Sequence, residues 1–87
     1  MNFGKALEIL KAGGLVARAG WNGKGMYLYL VKGGEFVVNR EPLRTILGAG
    51  TVARYSDHID MRTADGSLVP WLASQTDVLA EDWAEIV

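Results

Sequence analysis

The stretch Met26-Tyr27-Leu28-Tyr29-Leu30-Val31-Lys32-Gly33-Gly34 decides how the rest of the chain is read. Its first six residues put Met26, Leu28 and Leu30 on one face of a strand and Tyr27, Tyr29 and Val31 on the other. Both faces are apolar, so the strand belongs inside a sheet or at an interface. Gly33-Gly34 then turns the chain, and the spacing predicts a hairpin whose returning strand is Glu35 to Asn39. Upstream, Leu15 to Arg18 reads as a brief strand that follows a helix. Asn2 caps this helix, Phe3, Ala6, Leu7 and Leu10 share its apolar face, Lys11 suits its last turn, and Gly13-Gly14 stop it. Downstream, Pro42 opens a short helix carrying Leu43, Ile46 and Leu47, and Gly48 closes it. Thr51 to Tyr55 has weak β character. His58 to Thr63 alternates cleanly, Asp65-Gly66 is a turn, and Ser67 to Trp71 returns until Pro70 ends regular pairing. Ser74 to Ala80 reads as one or two helical turns, with Ser74 as cap and Asp77 three residues on. Trp83 to Val87 is the last strand. The expectation is an α+β fold in a single domain, 1–87. It has one small twisted antiparallel β-sheet, an N-terminal helix packed on it, and one or two short helices.

Composition narrows the function. At 87 residues, folding buries only about two-thirds of the surface of the unfolded chain, yet 49% of the residues are hydrophobic and three are Trp. That surplus predicts an oligomer in which another subunit covers apolar surface. The net charge of -1 argues against a nucleic-acid polymer, which needs a broad basic face. There is no cysteine, which excludes disulfides and thiolate metal sites and suits the cytoplasm. A single histidine, His58, excludes a two-histidine metal site. No apolar run reaches the length of a membrane span, and the first residues lack the layout of a signal peptide.

Two stretches carry chemistry. In Gly20-Trp21-Asn22-Gly23-Lys24-Gly25, backbone N–H groups can converge on an anion, Lys24 adds charge and Trp21 offers a stacking face. The order G-x-x-G-x-G is not the dinucleotide fingerprint, and Arg18 and Gly25 stand where a Walker A loop needs Gly and Ser or Thr. The plainer reading is a glycine-rich turn with Trp21 covering one end of the core. In Pro70-Trp71-Leu72-Ala73-Ser74-Gln75-Thr76-Asp77, hydroxyls, an amide and a carboxylate beside a Trp suit a base and a ribose, and the helix start suits a phosphate. Its plainer reading is an N-cap with its capping-box partner. Elsewhere, His58 shares a strand face with Asp60 only, and spacing places no nucleophile beside it, so it is not read as catalytic. Glu81, Asp82 and Glu85 read as a solvated acidic end. Arg18, Arg40, Arg44, Arg54 and Arg62 are scattered, with one or two of them available to a ligand phosphate.

These stretches also carry a resemblance. Met1-Asn2-Phe3-Gly4-Lys5-Ala6-Leu7, Val16 to Met26, Thr63-Ala64-Asp65-Gly66, and Pro70 to Asp77 with its sequel Leu79 to Trp83 resemble the second Thoeris anti-defence family of phage and prophage proteins. The likeness covers 1–31 and 58–87, while Gly33 to Asp57 carries no motif. It implies a sponge that binds and sequesters a cyclic ADP-ribose isomer of the glycocyclic type without degrading it, so that the Thoeris effector is never switched on. Some relatives also capture cyclic dinucleotides. It further implies no cofactor, no metal, no catalytic residue, and a homotetramer, with a dimer as the smaller alternative, working in the cytoplasm of the infected host. The contact residues it implies are Trp21, Asn22, Gly23 and Lys24 in the first block and Trp71, Ser74, Gln75, Thr76 and Asp77 in the second. The competing readings are a structural or protein-interaction module with a Trp-lined subunit interface and, further off, a small nucleotide hydrolase.

Overall fold

In a computed structural model of the chain, which describes residues 1–87 apart from the side chains of Asn22 and Gly23, the apolar run becomes the central strand of a sheet. That strand, β2 (Tyr27–Val31), lies between β1 (Leu15–Arg18) and β5 (His58–Arg62). Beyond β1 comes β7 (Trp83–Ile86), and beyond β5 comes β6 (Leu68–Pro70). Every pairing in this five-stranded sheet is antiparallel. Register fixes the faces: Val16 opposes Leu28, Leu28 opposes Met61, and Leu30 opposes Ile59. These side chains therefore project together from one side.

Helix α1 (Phe3–Lys11) covers that side. The Asn2 side chain accepts from the Lys5 N–H at 2.9 Å, which satisfies one orphan donor of the first turn. Ala6 and Leu10 of α1, Val16, Leu28 and Trp83 form the buried cluster, and Phe3, Leu7, Leu30, Ile59 and Met61 close around it. Each fully buried Leu or Val here contributes about 1.5–3 kcal/mol. The remaining helix of the body, α3 (Gln75–Leu79), follows the β5–β6 hairpin, whose Asp65-Gly66 turn forms as its sequence predicts.

The expected hairpin at Gly33-Gly34 does not form. β3 (Gly34–Val37) pairs with β4 (Val52–Tyr55) in a separate two-stranded sheet, and the partner of β2 on that side is β5. The cause lies at Gly33. Its N–H donates to Asp57 Oδ1 at 2.8 Å, and a Cβ there would lie 1.8 Å from the Tyr55 carbonyl oxygen. The glycine is thus spent on a close crossing of two backbones, not on a two-residue turn. Lys32 pairs with Asp57 at 3.5 Å beside it. Residues 33–57, with α2 (Leu43–Leu47), form an arm on the body, and the molecule measures 45 by 26 by 25 Å.

Candidate functional site

The first block leaves the sheet directly from β1. Ala19–Lys24 forms a 3-10 turn where the sequence suggested an open loop, and the Ala19 N–H donates to the Asp82 carbonyl at 3.1 Å. Gly25 ends the turn at φ +66°, and its carbonyl accepts from Arg62 Nη1 at 2.7 Å. Another residue there would be strained, with its Cβ 3.0 Å from that guanidinium. Trp21 is half-buried, its ring edge-to-face on Trp83 with centroids 5.5 Å apart. Lys24 is exposed, while the expected contacts Asn22 and Gly23 lie outside the described residues.

The second block packs on the same Trp83. Trp71 is half-buried, 6.0 Å from Trp83 edge-to-face and 5.9 Å from Phe3. Ser74 Oγ accepts from the Asp77 N–H at 3.0 Å, and the Ser74 N–H donates to Asp77 Oδ2 at 3.3 Å, a complete capping box. The Asp77 carbonyl accepts from Trp83 Nε1 at 2.9 Å, which pins α3 to the core indole. Ser74, Gln75 and Thr76 stay exposed. The structure thus brings Trp21, Trp71 and Asp77 onto Trp83, and leaves Lys24, Ser74, Gln75 and Thr76 at the surface.

Arg18, at the end of β1, joins the blocks. Its Nε donates to Asp82 Oδ1 at 2.9 Å and its Nη1 to Asp77 Oδ1 at 3.0 Å. One expectation is corrected here. Asp82 is no free solvated acid but half of an ion pair, because β7 runs antiparallel to β1 and brings position 82 beside Arg18. Among the five scattered arginines, Arg18 is the one that the structure places at the cleft, with its Nε and Nη1 turned to two carboxylates. The Arg18 hydrogen bond holds the Asp82 carboxyl below its ordinary value against a smaller effect of burial. For Asp77, burial pushes upward, but the bonds from Arg18 and Ser74 outweigh it and the carboxyl again sits low. Both are carboxylates near neutral pH.

Beside this latch lies a cleft of about 250 Å³ lined by Arg18, Gly20, Trp21 and Asp82. Its aromatic wall and carboxylate match a ligand with a planar ring and hydroxyls, and the exposed Lys24 ends the turn that carries Trp21. A second hollow of about 230 Å³ lies in the arm between Phe36, Tyr55, Arg40 and Leu43, away from both blocks. His58 Nε2 is 3.6 Å from Asp60 Oδ1 and its Nδ1 lies 3.1 Å from the Ser56 carbonyl, an ordinary strand-face pairing. Among the described residues no group of three or more His, Cys, Asp or Glu could hold a metal ion, and no helix is long and apolar enough to cross a membrane. Sequence reasoning missed Trp83 as the junction and Asp82 as a cleft residue. The signal lies in the chain order: Asp82 directly precedes the last strand, whose first residue, Trp83, pairs with Arg18.

A family model described as a Thoeris anti-defense 2-like domain matches residues 1–86. The protein Thoeris anti-defense 2 of Bacillus phage SP01 is 40% identical over 94 residues, which cover 95% of this chain and 91% of that protein. The match runs through both motif blocks and through the arm between them, and the chain belongs to the Thoeris anti-defense 2-like family.

Proposed function

We propose that the protein is a sponge that sequesters a cyclic ADP-ribose isomer, of the glycocyclic type, and so keeps a Thoeris effector unstimulated. Family membership supports a phage anti-defence role. The observation that carries the finer reading is the cleft of Arg18, Gly20, Trp21 and Asp82, with Trp21 half-buried at its wall. One face of an indole that is neither swallowed by the core nor free in water is suited to stacking a base, worth roughly 1–3 kcal/mol. Lys24 supplies positive charge for the pyrophosphate, with Asn22 and Gly23 in the same turn. Trp71 and the turn Ser74-Gln75-Thr76-Asp77, packed on the same Trp83, contact the rest of the ligand in this reading. No cofactor enters this reading, and neither does a catalytic residue. Cyclic dinucleotides are the second ligand class.

The assembly in this proposal is a homotetramer, with a dimer as the smaller alternative. Its support is apolar surface that one protomer leaves bare: Val37 is 58% exposed, Val52 62% and Ile46 68%, all on the arm. A monomeric mass by light scattering at micromolar concentration overturns it. The sponge itself is tested by incubating the protein with glycocyclic ADP-ribose, removing free ligand, denaturing by heat and analysing what is released. Intact ligand is expected. Converted ligand makes the protein a hydrolase, and no retention makes it a structural or interaction module.

A further inference from the structure

The two aspartates that hold Arg18 are not equivalent. Asp77 has a side chain only 16% exposed, and both its oxygens already accept, Oδ1 from Arg18 and Oδ2 from the Ser74 N–H. Asp82 is 42% exposed and lines the cleft with Trp21, and only its Oδ1 is engaged by Arg18. Among the described residues, Oδ2 accepts no hydrogen bond from another residue. We propose that Asp82 reads a ribose hydroxyl pair of the ligand, while Asp77 serves only to position α3. This assignment rests on the nucleotide-sponge reading and fixes which way the ligand lies in the cleft.

The chemistry is that of an acceptor with no proton to give. A carboxylate can take hydroxyl donors, and a cis-diol presents two of them side by side. A phosphate at neutral pH presents none and is repelled. The charge of Arg18 is already offset, because its Nε and Nη1 are turned to the two carboxylates. The Met1 amino group lies nearby on the carbonyls of Glu81 and Trp83, so the charges here balance and no surplus cation draws a phosphate inward. The ligand therefore stacks its base on Trp21 and turns a diol to Asp82, with its phosphates away from that carboxylate. In a ligand whose two riboses are joined to each other, the adenosine ribose gives up a hydroxyl to the link. The intact diol, and hence the group that Asp82 reads, belongs to the other ribose.

The test uses two probes, glycocyclic ADP-ribose and the same molecule without the 2-hydroxyl of its non-adenosine ribose. Each is titrated calorimetrically into the wild type, Asp82→Ala and Asp82→Asn, with near-ultraviolet circular dichroism on the same samples to confirm the fold. The wild type should hold the full probe about tenfold or more tighter than the deoxy probe. Asp82→Ala should hold both equally, at the level of the deoxy probe on the wild type. Asp82→Asn keeps an oxygen for Arg18, so it retains the fold even if the alanine variant does not, and it should narrow the ratio. A wild type that does not distinguish the probes, or a folded Asp82 variant that distinguishes them as well as the wild type does, overturns the assignment and leaves the sponge intact. A wild type that binds neither probe overturns the sponge reading itself.

Discussion

The body and the arm of this protein solve the same problem in opposite ways. In the body, α1 and the five-stranded sheet enclose Trp83, Leu10, Leu28 and Val16, and both motif blocks pack a Trp edge-to-face with the indole. In the arm, among the described residues, Val38 alone is fully buried, at 1% exposure, while Val37, Ile46, Val52 and Tyr55 remain open. A two-stranded hairpin is marginal in water without packing support. The arm nevertheless keeps its register, with Phe36 stacked on Tyr55 at 5.0 Å and its root clamped by Gly33 and Asp57. The body is thus stabilised from within and carries the cleft of Arg18, Gly20, Trp21 and Asp82. The arm is stabilised at its root and leaves apolar surface exposed.

The largest effect that can break this division is at Trp83. Truncation to alanine removes the contact surface of Phe3, Trp21 and Trp71 at once and frees the Asp77 carbonyl. About 3–5 kcal/mol is expected, enough to abolish folding of a domain this small. A soluble Trp83→Ala variant with near-native melting would show that the body does not depend on this junction.

At the arm the sharpest lesion is Gly33→Ala. A Cβ at 1.8 Å from a carbonyl oxygen and 2.7 Å from the Ser56 carbonyl carbon has no flexible neighbour to yield, so the backbone crossing must open. Amide hydrogen exchange should show lost protection in β3 and β4 while β1, β2, β5 and β7 stay protected. Uniform loss across both sheets would mean that arm and body fold as one cooperative unit, and the comparison would fail.

How much of this was legible in the sequence follows the same division. The body was readable because its elements declare themselves locally: Asn2 and Gly13 bound α1, Asp65-Gly66 turns β5 into β6, and Ser74 with Asp77 caps α3. Gly33-Gly34 reads locally as a hairpin, while the reason for Gly33 lies 24 residues on, at Asp57. Local patterning cannot show a backbone crossing set by tertiary contact. The aromatic and polar residues of the two motif blocks were visible as unusual types in unusual company. The Arg18–Asp82 pair was not, since it depends on first and last strands meeting in register.

Within the body, Trp21 is the residue at which the proposed binding can be told apart from folding. It is half-buried against Trp83 and also faces the cleft, so Trp21→Ala should cost less stability than Trp83→Ala. Loss of one stacked base, roughly 1–3 kcal/mol, weakens binding about ten- to a hundred-fold. The expected variant is a folded oligomer that retains glycocyclic ADP-ribose poorly. Unchanged retention with normal melting would remove Trp21 from the site.

The smallest effect is acid, and it touches both regions with the same sign. Asp65 in the β5–β6 turn accepts from Thr63 Oγ1 at 2.6 Å and from the Ser67 N–H at 2.9 Å, and the Thr63 hydroxyl first among these holds its pKa at about 2. At the arm root, the Gly33 N–H and then Lys32 hold Asp57 low as well. A carboxyl with a depressed folded value contributes stability that is present above its unfolded pKa, near 3.9, and is lost as pH falls through the folded one. For Asp65 that window runs from roughly pH 4 down to about 2. The side chain is solvated, so the contribution is small, but its pH signature is specific. Asp65→Asn should melt slightly below the wild type at pH 6, and the difference should close between pH 4 and 2 as the wild-type carboxyl takes its proton. Asp57→Asn should show the same closing difference only in exchange protection of the arm, with the body unmoved. A gap between Asp65→Asn and the wild type that stays constant through that window would mean that the turn holds by backbone geometry alone and that its charge does nothing for the body.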